Sequence, residues 1–425
     1  MGSRYIFAII AVFCFVGIAG LFYFLDGGVG LSAIVIPFVV ILSVIYILVV
    51  PWSDSYLPTV MIVGLAARFL SAWLYTTLEA YKLADVHLYF DTAQQLVGTS
   101  ASLGQLLVQP LWGTNLIISI AACVFAVIGP SLAGVVVLFT MVSFCGQFFF
   151  YRAFVIAFPA ANRRMAALLL FLCPSIVFWT STLGKDALML LAIGLVAYGV
   201  ARRFDVIGWV TVLTGLSSAS LIRPHIGAAL AISLFATFLI ADVSSGRAII
   251  GLKWLLLPVF LATCVGIVSY SRSSLELNSV EDAHEMSEHS YAYNQIGGSA
   301  FGEGESVEAR LAQAPLLMFR PFPWEVSNLT AALACCESLL LLLFAFRRRT
   351  GLFRLLLKAR SAPLVVFILC FFAILSTILS ISISNFGLLA RQRVAVLPLI
   401  LMLLVTSKSS SARRAVASRL AQGIA

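Results

Sequence analysis

The sequence predicts an all-α fold, a polytopic transmembrane helix bundle of about 13–14 spans. The composition supports this, because 61% of the 425 residues are hydrophobic and only 11% are charged. The mean hydropathy is +1.06, whereas soluble domains have about a quarter of their residues charged. Apolar runs of about 20 residues, enough to cross a hydrocarbon layer roughly 30 Å thick, also recur between short polar breaks. Lipid is therefore the expected solvent of these helices.

Hydropathy divides the chain into a series of candidate helices. If the amino terminus and the basic tail both lie inside, the number of crossings is even, so a further short or tilted crossing is expected at 150–163. The predicted helices cover 5–25, 30–51, 57–80, 114–129, 131–149, 164–180, 184–201, 206–222, 226–242, 248–270, 326–346, 361–383 and 391–406.

Four parts follow from this division. Two N-terminal helices at 1–56 precede a helical core at 57–270, which contains a polar outer loop at 81–113. An acidic extracytoplasmic loop follows at 271–325, and 326–425 holds C-terminal helices and a basic cytoplasmic tail. The cysteines show neither a disulfide framework nor metal-ligand spacing, so no metal and no cofactor are predicted.

The net charge of +9 does not indicate nucleic-acid binding. Its basic residues form short clusters at the ends of apolar runs, as at Arg163 and Arg164, Arg202 and Arg203, and 347–360. The positive-inside rule assigns such clusters to the cytoplasmic side of a membrane. Basic residues at the opposite helix ends therefore need another explanation.

Residues 84–97 have the pattern of an amphipathic helix. Tyr89 lies within an apolar arc of the helical wheel, while His87 and Asp91 fall on the opposite arc. A helix of this kind is expected along the outer membrane interface, with its polar face toward water or a cavity. Asp85 lies at its start, where a carboxylate can cap free N–H groups.

Five cations at predicted outer helix ends are candidates for binding a phosphate group. Arginine presents a planar fork that matches phosphate oxygens, and lysine acts as a point charge for the same group. We expect these side chains to converge on one membrane face and to hold a lipid-linked phosphate; the alternative is that they extend to lipid headgroups. They are Lys185, Arg223, Arg320, Arg391 and Arg393.

Acidic residues on the same face could accept a proton from an acceptor hydroxyl. Asp85, Asp91, Asp186 and Glu325 are the candidates. Each has a structural alternative: a helix cap for Asp85, a solvated face for Asp91, and a pair with Lys185 or a cap for Asp186. The other candidate site residues are His87, Tyr89, His225, Trp324 and Asn385.

Most charged residues gather at the ends of the predicted spans, and Arg68 and Glu337 are the main candidates for exceptions. Side chains of this kind face protein or water and not lipid. Arg68 is expected to pair with Glu79 or with a backbone carbonyl.

Over 57–225 the chain resembles the GT-C superfamily of glycosyltransferases. The resemblance follows ADVHLYFDTAQQL, QPLWGTN and CPS before GKDAL in order, and RPH, FRPFPWE and NFGLLARQR are similar to bacterial membrane proteins often grouped with these enzymes. It implies a GT-C-like core at 57–270 and an inverting, metal-independent transfer from a polyprenyl-phosphate sugar donor at the outer face of the bacterial inner (cytoplasmic) membrane. Asp85 would activate the acceptor, with Asp91 second, and the cations would hold the donor phosphate.

The expected partners are this donor, a glycan, lipid or protein acceptor, membrane lipids and other envelope-polysaccharide assembly proteins. Three alternatives stay open. An O-antigen or exopolysaccharide polymerase or ligase also uses arginines beside a long outer loop. A transporter or flippase of lipid-linked glycans would place its ionisable residues near the bilayer midplane. A structural component of a polysaccharide assembly would tolerate replacement of Asp85, Lys185 or Arg391.

Overall fold

The computed structural model describes residues 32–50, 52, 54–77, 85–100, 102–108, 111–242, 262, 264–270, 272–273, 280–295, 299–302 and 305–406. The predicted helix at 5–25, most of the one at 248–270 and the basic tail from 408 lie outside them. Every regular secondary-structure element within these ranges is a helix. An isolated antiparallel bridge joins Ala300 to Asn385.

Sixteen α-helices within the described ranges are numbered in chain order. They are α1 Ser32–Val49, α2 Leu57–Thr77, α3 Asp85–Thr99, α4 Gly113–Ile128, α5 Leu132–Ala157, α6 Arg163–Leu172, α7 Pro174–Trp179, α8 Lys185–Ala201, α9 Val206–Ile222, α10 Pro224–Ile240, α11 Val280–Asn294, α12 Val307–Leu317, α13 Leu329–Leu357, α14 Pro363–Ser382, α15 Phe386–Gln392 and α16 Leu397–Thr406.

The prediction of a further, separate crossing at 150–163 is wrong. Helix α5 continues without a break to Ala157, because Leu132–Ala157 contains no proline and the first proline after it is Pro159. The predicted helix at 164–180 is instead two helices, since Pro174 has no N–H to donate and begins α7 at its first position.

Two C-terminal helices also differ from their predicted bounds. Helix α13 runs beyond the expected end at 346 to Leu357, since arginine and leucine are good helix formers and continue it through the basic cluster. The predicted helix at 391–406 covers the end of the first half and all of the second half of a bent pair. Its halves, Phe386–Ala395 and Leu397–Thr406, meet at 62°.

By length and composition, three helices within the described ranges could cross a membrane, namely α2, α5 and α14. The bent pair would be a fourth if it forms one span. Helices α4, α9 and α10 are apolar but only 16–17 residues long. The described part of the chain is thus all-helical with three or four candidate spans. The larger predicted number of spans stays a prediction.

The chain forms two compact units. The first comprises residues 1–148, 167–191 and 221–223, and the second comprises 149–166, 192–220 and 224–425. In the first, α2 packs on α7 and α3 packs on α4 around an apolar core. In the second, α14 packs against α10, α11 and α12, and α13 packs against α16.

Candidate functional site

The amphipathic helix predicted at 84–97 is confirmed as α3. Its apolar face is buried, and Tyr89 is only 3% exposed in the core of the first unit. Tyr89 is therefore a packing residue here and does not line an open site. Asp91 is exposed, and Asp85 is the first residue of the helix and partly exposed. The side chain of His87 is partly buried, and its Nε2 atom has no hydrogen-bond partner within the described ranges.

The first unit contains a buried ion pair at the start of α8. Arg223 Nη2 lies 2.8 Å from Asp186 Oδ1, and the side chains are 9% and 6% exposed. Asp186 is the second residue of α8, and Arg223 lies between α9 and α10. Arg223 therefore carries a carboxylate on its fork, and Asp186 is held by an arginine rather than free to act as a base.

Lys185, the first residue of α8, lies at the amino-terminal end of α4. Its Nζ would be 3.9 Å from a Cβ atom added to Gly113, the first residue of that helix. Gly113 has φ +60°, a left-handed conformation that favours glycine. Lys185 thus places its ammonium group beside a helix amino terminus, and both of these groups favour a nearby anion.

Arg68 is fully buried in α2 and connects three elements of the first unit. Its Nε donates to Gln147 Oε1 at 2.9 Å, and its Nη1 donates to the hydroxyls of Ser143, Thr180 and Ser181 at 2.6, 3.0 and 3.1 Å. The Thr180 carbonyl is a weaker acceptor at 3.4 Å, so the expected carbonyl pairing is one part of a larger network. Glu79 lies outside the described residues.

The consequence is that Arg68 fixes the turn between α7 and α8. Thr180 and Ser181 belong to this turn, and Lys185 and Asp186 follow it directly. A buried guanidinium needs acceptors because an unsatisfied charged group in an apolar interior is costly. The polar sequence TST supplies them, and the sequence pattern alone did not identify Gln147 or Ser143 as partners.

In the second unit, Arg320 lies in a shell of polar and aromatic groups. Its Nε donates to Glu325 Oε1 at 2.8 Å, and Nη2 contacts the same oxygen. Its Nη1 donates to Gln313 Oε1 at 2.8 Å. The guanidinium carbon also lies 4.4 Å and 5.3 Å from the ring centroids of Phe301 and Phe386. Together, the two polar side chains and the two rings hold the guanidinium of Arg320 in a single orientation.

Arg393 was predicted to bind the donor phosphate directly, but its position does not suit that role. The residue is 1% exposed. Its Nη1 donates to Ser338 Oγ at 2.7 Å and to the Arg320 carbonyl at 3.3 Å, and Nη2 lies 3.1 Å from Glu337 Oε1. Arg393 therefore fixes the backbone that carries Arg320. Glu337, predicted only as an ionisable residue in a span, supplies its counter-charge.

Asn385 has a structural role as the N-cap of α15. Its Oδ1 accepts hydrogen bonds from the N–H groups of Gly387 and Leu388 at 2.8 and 3.3 Å, and from Ser299 Oγ at 3.1 Å. Phe301 N–H donates to the Ser384 carbonyl at 2.8 Å. The segment 299–302 is thus hydrogen-bonded to the start of the bent helix pair, which brings the Phe301 ring to Arg320.

Tyr291 and Arg310 hold the same segment from its other side. The Tyr291 hydroxyl donates to the carbonyls of Phe301 and Gly302 at 3.3 and 3.1 Å. Burial, followed by the nearby Glu305 carboxylate, raises the pKa of this phenol, which keeps it a donor. Arg310 lies over the Tyr291 ring at 4.1 Å and forms an ion pair with Glu288.

The remaining candidates of the second unit are more accessible. Trp324 is 80% exposed, and its ring stacks on Phe322 at 5.1 Å. Arg391 is partly exposed in the last turn of α15. His225 is the second residue of α10 and also partly exposed. Of the predicted cations of this unit, Arg391 is thus the most exposed, whereas Arg320 is 9% exposed and Arg393 is 1% exposed.

The predicted site residues fall into two groups, one in each unit. Asp85, Asp91, Lys185, Asp186 and Arg223 belong to the first, and Arg320, Trp324, Glu325, Arg391 and Arg393 belong to the second. Within the described ranges no group of three or more His, Cys, Asp or Glu residues could hold a metal ion. No protein-family model, curated protein or solved structure matches the chain.

Proposed function

We propose that the protein is a multi-pass glycosyltransferase of the bacterial inner membrane, which moves a sugar from a polyprenyl-phosphate donor to an acceptor at the outer face. The acceptor oxygen attacks the anomeric carbon, the bond from this carbon to the phosphate oxygen breaks, and the carrier phosphate leaves with the electron pair. A carboxylate takes the acceptor proton.

The observation that carries this proposal is the bent pair α15–α16 and the arginines around it. An irregular backbone within an apolar pair of helices is tolerated only where protein or a water-filled cavity surrounds it. Here the first half of the pair bears Arg391 and Arg393, and Arg393 holds the backbone of Arg320. Charged groups at a helix break within an apolar segment are typical of substrate sites. A lipid phosphate is the natural ligand of arginines in such a place.

The first unit, taken by itself, holds the candidate base. Lys185 and the amino terminus of α4 both favour negative charge near them. Asp85 begins α3 and is partly exposed. By the resemblance to GT-C enzymes, Asp85 is the base, and Asp91 is its exposed alternative on the same helix.

The test is carrier release by the purified protein in nanodiscs, measured with a panel of polyprenyl-phosphate sugars. Asp85→Asn removes the base and is expected to lower turnover by about 10²–10⁴-fold. The control is Glu281→Gln, which removes an exposed carboxylate from α11. No turnover on any donor with a folded protein would reject the transferase. Turnover unaffected by Asp85→Asn would favour a polymerase or ligase.

A transporter of lipid-linked glycans is the second candidate, and the same bent pair favours it. Transporters commonly bind substrates at broken helices. Movement of a fluorescent lipid-linked glycan between the leaflets of proteoliposomes, without release of the carrier, would establish this function in place of transfer.

A further inference from the structure

The guanidinium of Arg320 has one edge that is fixed and one that could exchange its ligand. The Nη1 corner is held by Gln313, and Phe301 and Phe386 contact the group through their rings. These contacts orient the plane without using the edge formed by Nε and Nη2. That edge is the fork with which arginine binds carboxylate or phosphate oxygens in a bidentate manner.

Glu325 occupies this edge with a single oxygen. Its Oε1 accepts from both Nε and Nη2 of Arg320, while its Oε2 accepts from the N–H of Phe322 at 2.7 Å. Three donors, two from a guanidinium and one from the backbone, thus surround one carboxylate. A phosphate group presents three oxygens at similar separations and could use the same three donors with one oxygen each.

The exposure of the arginine distinguishes this pair from the ion pair nearby. The side chains of Arg320 and Glu325 are 10% and 15% exposed, whereas those of Arg393 and Glu337 are 1% and 13% exposed. Glu325 is also preceded by the strongly exposed Trp324. Glu325 belongs to the short segment Pro323–Glu325, which contains no buried residue. Its carboxylate can therefore turn toward solvent without unpacking this segment.

We propose that Glu325 is a resident carboxylate that a prenyl-linked phosphate displaces from Arg320 and from the Phe322 N–H when it binds. This proposal rests on the function proposed above and names the atoms that receive the donor phosphate. Glu325 competes with the ligand, so the site is neutral when empty of substrate and does not hold inorganic anions tightly. The orientation of the fork is retained because Gln313 and the two rings do not take part in the exchange.

Binding of farnesyl phosphate to the full-length protein in phosphatidylcholine nanodiscs tests the exchange. Glu325→Gln is nearly isosteric and removes the charge that competes with the ligand for Arg320. The ligand then no longer has to replace a charge-assisted contact, so the variant is expected to bind farnesyl phosphate about tenfold more tightly than the wild type. Arg320→Lys keeps the charge but loses the fork, and it is expected to bind at least about tenfold more weakly.

Glu288→Gln is the matched control. Glu288 pairs with Arg310 in the same unit, and its side chain is 46% exposed. Its replacement is expected to leave the affinity for farnesyl phosphate within about twofold of wild type. Glu325→Asp is a second variant that keeps the charge but shortens its reach to the fork. It is expected to bind with an affinity between those of wild type and Glu325→Gln.

The outcome is decided by the order of affinities among proteins that melt like the wild type. If neither Glu325 variant binds farnesyl phosphate more tightly, the proposal is overturned, and Glu325 then positions Arg320 for its ligand. Competition by inorganic phosphate that follows the same order identifies the phosphate as the recognised group. If phosphatidylglycerol in the nanodiscs abolishes the differences, a membrane headgroup occupies the site and the donor assignment is rejected.

The binding measurement is independent of transfer. Tighter binding by Glu325→Gln without sugar transfer on any donor would retain the exchange and reject the transferase. Sugar transfer by the wild type without tighter binding by the Glu325 variants would retain the transferase and reject the exchange.

Discussion

Replacing the buried Arg68 by methionine is expected to destabilise the first unit by about 2–4 kcal/mol. The side chains have similar reach, so methionine fills much of the space but offers no donor. The result would show whether the network of Arg68 holds the turn that precedes Lys185 and Asp186, two of the candidate site residues.

The magnitude follows from what the partners of Arg68 keep. The hydroxyl of Ser143 donates to a carbonyl of α5, and those of Thr180 and Ser181 donate to carbonyls of α7, so all three retain those bonds. Gln147 Oε1 loses its hydrogen bond from Arg68, and an unsatisfied buried acceptor costs about 1–3 kcal/mol. Imperfect packing adds about 1–2 kcal/mol. Release of the guanidinium from burial offsets part of the sum.

Thermal unfolding in detergent, followed by tryptophan fluorescence, measures the effect. A loss of this size is expected to lower the melting temperature by about 5–10 °C. Arg164→Met is the control because Arg164 is exposed at the start of α6, where substitutions usually change stability by less than about 0.5 kcal/mol. A melting temperature of the Arg68 variant within about 1 °C of wild type would refute the role of the network.

Three further predictions concern packing and charge. Gly146→Ala places a Cβ atom 2.7 Å from backbone atoms of α8, so it is expected to destabilise the protein by about 1–3 kcal/mol. A Cβ atom at Gly98 meets nothing within 4 Å, so Gly98→Ala is expected to be neutral or to stabilise the protein by up to about 1 kcal/mol. Equal melting temperatures of the two variants would contradict the close contact at Gly146. Asp186→Asn leaves Arg223 without its buried counter-charge and is expected to cost about 3–5 kcal/mol, while a double replacement by leucines costs less; a double variant less stable than the single one would refute this. The hydrogen bond from Arg202 lowers the pKa of Asp205. The ionised Asp205 therefore contributes its full stabilisation above about pH 4, the pKa range of an unfolded aspartate, and this stabilisation is lost as the pH falls through the lowered pKa. Asp205→Asn is therefore expected to flatten this part of the pH profile of the melting temperature, and an unchanged profile would argue against it.

Local sequence pattern was sufficient for several elements of the fold. Helix α3 and its buried face follow from the period of apolar residues between Val86 and Val97. The bounds of α8 and α9 lie within about one residue of those predicted, because turn residues at 202–205 interrupt two apolar runs. Where an apolar run contains a proline, as at Pro174, hydropathy alone overestimated the length of a helix.

The chemistry of the charged residues could be predicted from the sequence only as a set of candidates. Lys185, Arg223 and Arg320 are recognisable because they stand at helix ends, and the prediction that they contact anionic groups needs only their charge. Which carboxylate each one meets depends on pairs far apart in the chain. Arg393 and Glu337 are 56 residues apart, and the sequence holds no signal that joins them.

The sequence by itself thus determined that the chain is helical and apolar, because periodicity and hydropathy act over one or two turns. Tertiary structure decided which carboxylate each arginine meets and how deeply each arginine is buried, since this depends on distances of about 3 Å between groups brought together only by folding. Arg393 and Arg320 show the difference: the side chain of Arg393 is 1% exposed and contacts Ser338 and Glu337, whereas that of Arg320 is 10% exposed and pairs with Glu325.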